Sequence, residues 1–393
     1  MRWNRLLWPW ALLWPWSLLW TALHVRDAGR SWHFFASAGD LLFSSNPGGG
    51  LQIYAVHPQF QIGPLALAVA GGLQALGPAR AEVAVLAAMS ATGPPLLAAV
   101  WRLLPAAEQR NRARLLAAGL VFLPVWAEVA THYGHLDDLL ALGCTVAAAH
   151  ALARRQPVWA GLALAAATDA KPWAAAFAVM LLALPRKDWP RALAVFAAGV
   201  LVAWLPFLLA DPHTLAAGRF SIPNDHSSAL RAIGINAAST PWWDRPAQLA
   251  LGLAGGTLAV RRGRWPAVIL IAVCARVLLD PGVYPYYTSG ALLGTVLADL
   301  VITRWRLPWL TVAGAAMLYA TRFTGDLFPF TMHDLGLLRA AFVIGVPMLV
   351  LGLPGHRLTP PAGRHARSQP AADLPAQVPL PQADARHASL SRR

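Results

Sequence analysis

Apolar stretches near bilayer length recur along almost the whole chain, and the polar breaks between them alternate in chemistry. At about 1.5 Å of rise per residue, roughly twenty apolar residues cross a hydrocarbon core about 30 Å thick. The stretches read as spans at 6–23, 82–104, 115–131, 138–153, 157–170, 173–185, 192–210, 247–260, 266–280, 288–303, 308–321 and 340–354. The pattern predicts an all-α, polytopic transmembrane bundle of about twelve spans, with both termini cytoplasmic.

One set of breaks is rich in arginine: Arg110, Arg112 and Arg114; Arg154 and Arg155; Arg186, Lys187 and Arg191; Arg261, Arg262 and Arg264; Arg304 and Arg306. The other set, at 27–57, 132–138, 211–244, 280–287 and 322–334, carries acids, histidines and tyrosines. Positive loops resist translocation, so the arginines are expected in the cytoplasm and the reactive groups on the extracytoplasmic face. The stretch 61–77 is apolar enough to span, but counting it would carry the first arginine cluster outside. It is expected instead as a helix lying in or dipping into the outer leaflet. The competing arrangement is a span followed by a hairpin around Gly93, Pro94 and Pro95.

Composition supports a membrane protein. The 393 residues are 57% hydrophobic and 13% charged, with a mean hydropathy of +0.47; a soluble domain carries about 25% charged residues. The net charge of +14 sits in the short loops and the tail, so topology and anionic headgroups explain it without nucleic acid. Residues 1–23 have the basic flank and apolar run of a signal peptide, but no small-x-small cleavage site, and are expected as a retained first span. Residues 1–354 form the expected bundle. Residues 355–393, rich in Pro and Arg, are expected as a disordered cytoplasmic tail. Cys144 and Cys274 both fall in apolar stretches, with no disulfide or metal spacing.

Three places could carry chemistry. The first outer loop, 24–64, is long and aromatic and holds Asp27, His33, Asp40 and His57; a carboxylate there has the chemistry of a general base, as well as that of a plain solvated charge. Residues 131–142, THYGHLDDLLAL, place His132, His135, Asp137 and Asp138 within seven positions. Acids at a helix start are favoured by the helix dipole, which explains one aspartate but not the histidines. These are also divalent-metal ligand types, although their spacing matches no strong motif. Lys171 stands between two apolar runs, where it would either hold a phosphate or snorkel to the interface. The tyrosines of 280–290 read either as an aromatic belt or as a sugar platform; His226, His333 and Asp334 are weaker loop candidates.

The succession of blocks resembles the GT-C glycosyltransferases. YAVHPQFQIGP at 54–64 is similar to that family's Y-x-P loop and interfacial helix. GHLDDLLAL at 134–142 stands where the family shows G-Q-x-[ND]-x-L-L. AGLALAAATDAKP at 160–172 resembles A-G-x-x-L-x-x-A-x-x-x-K-P. Order and spacing are similar to the polyprenol-phosphate-mannose-dependent mannosyltransferases of actinobacteria, including those that elongate phosphatidylinositol mannosides. The resemblance covers residues 6–189, and the remainder by topology only.

The resemblance implies an inverting transfer of a hexose, mannose in these relatives, from a polyprenyl-phosphate donor to a glycolipid or glycan acceptor. A first-loop Asp acts as base on the acceptor hydroxyl, and Lys171, His57, Gln61, His132, His135, Asp137 and Asp138 are expected around the donor phosphate or sugar. Two departures stand out. The family's Asp falls near Ser31 here, leaving Asp27 as the expected base, with Asp40 and His33 as alternatives. His135 replaces the usual Gln. No cofactor is certain, and a divalent metal stays open. The alternatives are a transporter or lipid flippase, disfavoured by the absence of a half-to-half repeat, and a non-catalytic cell-envelope assembly protein.

Overall fold

A computed structural model describes residues 4–105, 108–323 and 329–353, all within one compact unit. The expected tail, 355–393, lies outside the described residues. The architecture is helical throughout, with a single isolated bridge, Pro223 to Ser239, as the only β-pairing among the described residues.

Among the described residues five helices are long and apolar enough to cross a membrane: Pro78–Arg102, Arg112–Tyr133, Leu136–Ala153, Arg186–Ala210 and Met332–Gly352. Twelve spans were expected. Four further apolar helices are short. Pro64–Gln74, Pro172–Ala183, Trp265–Leu279 and Tyr287–Ile302 have 11 to 16 residues. At 1.5 Å per residue the shortest of these covers roughly 16 Å, about half a hydrocarbon core. The stretch expected at 308–321 is broken further, into a helix at Trp309–Gly314, a π-helical turn at Ala315–Tyr319 and a 3₁₀ turn at Ala320–Arg322.

Local chemistry sets the breaks. Pro157 opens helix Pro157–Ala170 at a position where its missing N–H costs nothing. Pro172 forces Lys171 out of the helical region, to φ −145° and ψ 108°, so the helix ends there. Thr331 and Asp334 form a capping box at the start of Met332–Gly352, which gives Asp334 a structural role.

Leu136–Ala153, Pro157–Ala170 and Trp189–Ala210 pack in sequence order, each on the next. Helix Arg186–Ala210 is only 11% buried and presents Leu201, Val202 and Leu209 outward, as a lipid-facing helix does. The core holds a second group, Asp244–Arg261 against Val268–Leu279 and the latter against Tyr287–Leu297. At one end of that group the buried Arg114 donates to the carbonyl and hydroxyl oxygens of Thr303, and Asp299 accepts from Thr311 N and Oγ1 at 2.7 and 2.8 Å. These bonds satisfy charges that would be costly unpaired.

The first loop is tied down at both ends. Gly29, Arg30 and Ser31 donate their backbone N–H groups to the carbonyls of Thr131, His132 and Tyr133, at 3.0, 3.0 and 2.7 Å. Gly63 donates to Ala170 O at 3.0 Å. A Cβ at position 63 would lie 2.0 Å from Asp169 O, so only glycine lets the loop meet the end of helix Pro157–Ala170.

Candidate active site

Helix Arg112–Ala127 runs on into a π-helical turn, Glu128–Tyr133. Gly134 ends it in the left-handed region, at φ 61°, which a residue with a side chain adopts only under strain. The chain reverses there. His135 becomes the N-cap of Leu136–Ala153, with Asp137 and Asp138 in the first turn, where the helix dipole favours negative charge.

Lys171 reaches this turn from the next helix in sequence. Its Nζ lies 2.5 Å from Asp138 Oδ2 and 3.3 Å from Asp137 Oδ2. His135 Nδ1 lies 2.6 Å from Asp137 Oδ1 and 2.9 Å from Asp138 Oδ2. All four residues are buried. Tyr286 stacks on the His135 ring, with centroids 3.6 Å apart, and Phe35 meets it edge-on at 5.2 Å. The Lys171 ammonium lies 5.0 Å and 5.3 Å from the ring centroids of Tyr286 and Tyr287, within cation–π range. Burial disfavours the charged forms of His135 and Lys171. The adjacent carboxylates more than offset this, and both pKa values stand above their ordinary ones.

This cluster borders a cavity of about 690 Å³, in the range of pockets that enclose a small organic ligand, about 300–1,000 Å³. Its walls are aromatic, with Phe34, Phe60, Trp173, Trp204, Tyr284 and Tyr286 among them. Val200 and Leu208 extend it along the lipid-facing helix. Two arginines enter from the later half of the chain. Arg276 pairs with Asp280 at 2.7 Å and donates to Gln248 and to Tyr287 Oη. Arg245 donates to Gln61 Oε1 at 3.3 Å, and its buried Nε has no partner.

Four expected site residues therefore line one cavity: Gln61, His135, Asp137 and Lys171. Asp138 stands behind them, bonded to Lys171. The others lie elsewhere. Asp27 is exposed and 3.9 Å from Arg30. His33 and Asp40 are exposed, and neither lines the cavity. His57 packs against Phe60, and His132 against His24 and Tyr133, outside its lining. Asp169, two residues before Lys171, turns instead towards Trp204. The expected tyrosine loop does contribute, through Tyr284, Tyr286 and Tyr287.

Arg245, Gln248 and Arg276 were not among the expected residues. Arg276 carried a readable signal, a charge near the end of the apolar run 266–280, four residues before Asp280. One ligand-type atom from each of His135, Asp137 and Asp138 lies within 4.8 Å of the others, a spacing that a divalent cation would accept. The Lys171 ammonium already supplies positive charge to both carboxylates.

Residues 60–219 match the model of Glycosyltransferase family 87, a GT-C-like family of membrane glycosyltransferases. The match covers less than half of the chain, and includes the whole His135–Asp137–Asp138–Lys171 cluster. No curated protein and no solved structure matches the chain.

Proposed function

We propose that the chain is a multi-pass membrane glycosyltransferase. It moves a hexose, with mannose as the first candidate, from a polyprenyl-phosphate donor to a glycolipid or glycan acceptor on the extracytoplasmic face, with inversion at the anomeric carbon. The observation that carries this reading is the cavity itself. Aromatic walls suit the apolar face of a sugar ring, and buried cationic groups suit a phosphate. A lipid-exposed helix along one side gives an isoprenoid tail a place outside the protein.

Lys171 is already engaged by two carboxylates, so the phosphate is assigned here first to Arg245, whose buried Nε has no partner, with Arg276, itself paired to one carboxylate, beside it. A guanidinium offers planar, paired donors to phosphate oxygens. Held in a partly dehydrated cavity, these donors stabilise the negative charge that grows on the departing phosphate. Trp173, Trp204 and the tyrosine loop are left to hold the sugar and exclude water.

The test uses the purified full-length chain in proteoliposomes, with radiolabelled polyprenyl-phosphate mannose and phosphatidylinositol mannosides as acceptors. Transfer of label to the acceptor supports the reading. Movement of the labelled lipid between leaflets without transfer would replace it with a flippase, and neither activity would point to an assembly protein.

A further inference from the structure

The acids expected to serve as base stand outside the cavity, yet a transfer to a hydroxyl needs somewhere for its proton to go. We infer that His135 Nε2 receives that proton, with Asp137 as the residue that positions the imidazole. This rests on the glycosyl-transfer reading above.

Four observations carry it. His135 lines the cavity. Its Nδ1 faces two carboxylates at 2.6 and 2.9 Å, so Nδ1 carries the hydrogen and Nε2 is left with its lone pair. No described protein group is hydrogen-bonded to Nε2. The ring is clamped between Tyr286 and Phe35, so it does not have to be ordered when the acceptor arrives.

The electrostatics suit a base. Two carboxylates face one ammonium, which leaves one surplus negative charge beside the ring. That surplus stabilises the imidazolium as it forms, the task of the aspartate in a Ser-His-Asp triad. The acceptor oxygen attacks the anomeric carbon while the bond from that carbon to the phosphate oxygen breaks. The bonding pair leaves with the phosphate, and the hydroxyl proton moves to Nε2.

The groups facing His135 are Asp137 and Asp138 on its own helix, Lys171 from the following helix end and Tyr286 from the tyrosine loop. Phe35, from helix Trp32–Leu42, is uncharged. Burial lowers the His135 pKa, the carboxylates raise it, and the result lies above 6.5. A base must be neutral to accept a proton. The rate should therefore rise with pH through a value above 6.5.

The experiment measures mannose transfer by the full chain in proteoliposomes across that pH range, for the wild type and for His135→Gln. A general base contributes about 100-fold or more, so kcat should fall by that factor in the variant. The donor KM should change little, and the pH limb should vanish. A variant that keeps kcat within about threefold of wild type, or that keeps the limb, overturns the assignment. So does a wild-type rate that falls as pH rises, since that marks a cationic, anion-binding His135. If His135→Gln does not fold, the direction of the wild-type limb decides alone. Wild-type protein with no transfer activity defeats the glycosyl-transfer reading and the base with it. Active wild type with an unaffected variant defeats only the base.

Discussion

Replacing Lys171 with Met should be among the most destabilising single changes in the chain. The ammonium lies 2.5 Å from one carboxylate and 3.3 Å from another, and all three side chains are at most 6% exposed. With an effective dielectric constant of about 20, Coulomb's law assigns about 7 kcal/mol to the first contact and about 5 kcal/mol to the second. Desolvation of each ion offsets several kcal/mol of this, so the net worth of the network is far smaller than the sum. Removing one partner is a different perturbation, because it strands the others. Two buried carboxylates would be left with only His135 beside them, and breaking a buried pair in this way costs about 3–5 kcal/mol. An unfolding titration in mixed detergent micelles would measure it, comparing Lys171→Met with Lys171→Met/Asp138→Asn. The second variant removes one stranded charge and should recover a substantial part of the loss. A loss below about 1 kcal/mol, the size of a surface ion pair, would show that the cluster is hydrated rather than buried and ion-paired.

Other outcomes follow from the same geometry. Gly63→Ala puts a methyl 2.0 Å from Asp169 O, and overpacking of this kind should cost about 1–3 kcal/mol in the same titration, with Leu76→Ala at an exposed position as a control. Arg245→Gln should raise the donor KM, and the effect should weaken when the phosphate-bearing donor is compared with a neutral alkyl mannoside; equal effects on both would remove Arg245 from phosphate binding. His135 has a folded pKa above 6.5. It therefore adds stability that is complete below 6.5 and is lost as pH rises through the folded value. The stability gap between wild type and His135→Gln should narrow with rising pH, and a widening gap would contradict the pairing with Asp137 and Asp138.

Much of the site is legible in residue order. His135, Asp137 and Asp138 stand together at the start of an apolar run, and Lys171 stands alone between two. Polar residues this close to apolar runs are costly without partners, which marks them, although the pairing across 33 and 34 positions emerges only once Leu136–Ala153 and Pro157–Ala170 lie side by side. Asp27 and Asp40 show what local pattern misses. Nothing around them in sequence distinguishes an exposed loop acid from one that faces a cavity, because that depends on where the 24–64 loop docks. Arg245 and Arg276 were overlooked for a related reason. They come from the half of the chain where the resemblance rests on topology alone, and hydropathy averaging hides isolated charges such as Arg276 in the run 266–280. Among the described residues, five of the twelve expected spans appear as helices long and apolar enough to cross a membrane, and several of the rest are short or broken. Pro172 and the π-helical turns at Ala298–Ile302 and Ala315–Tyr319 shorten regular helix without making the sequence more polar.

A structure of the full chain with a non-hydrolysable polyprenyl-phosphate mannose analogue would locate the donor. The phosphate is predicted within hydrogen-bond distance of Arg245 and Arg276, the sugar against Trp173 and Tyr286, and the tail along Arg186–Ala210. An analogue bound elsewhere, with the aromatic cavity still empty, would contradict this placement.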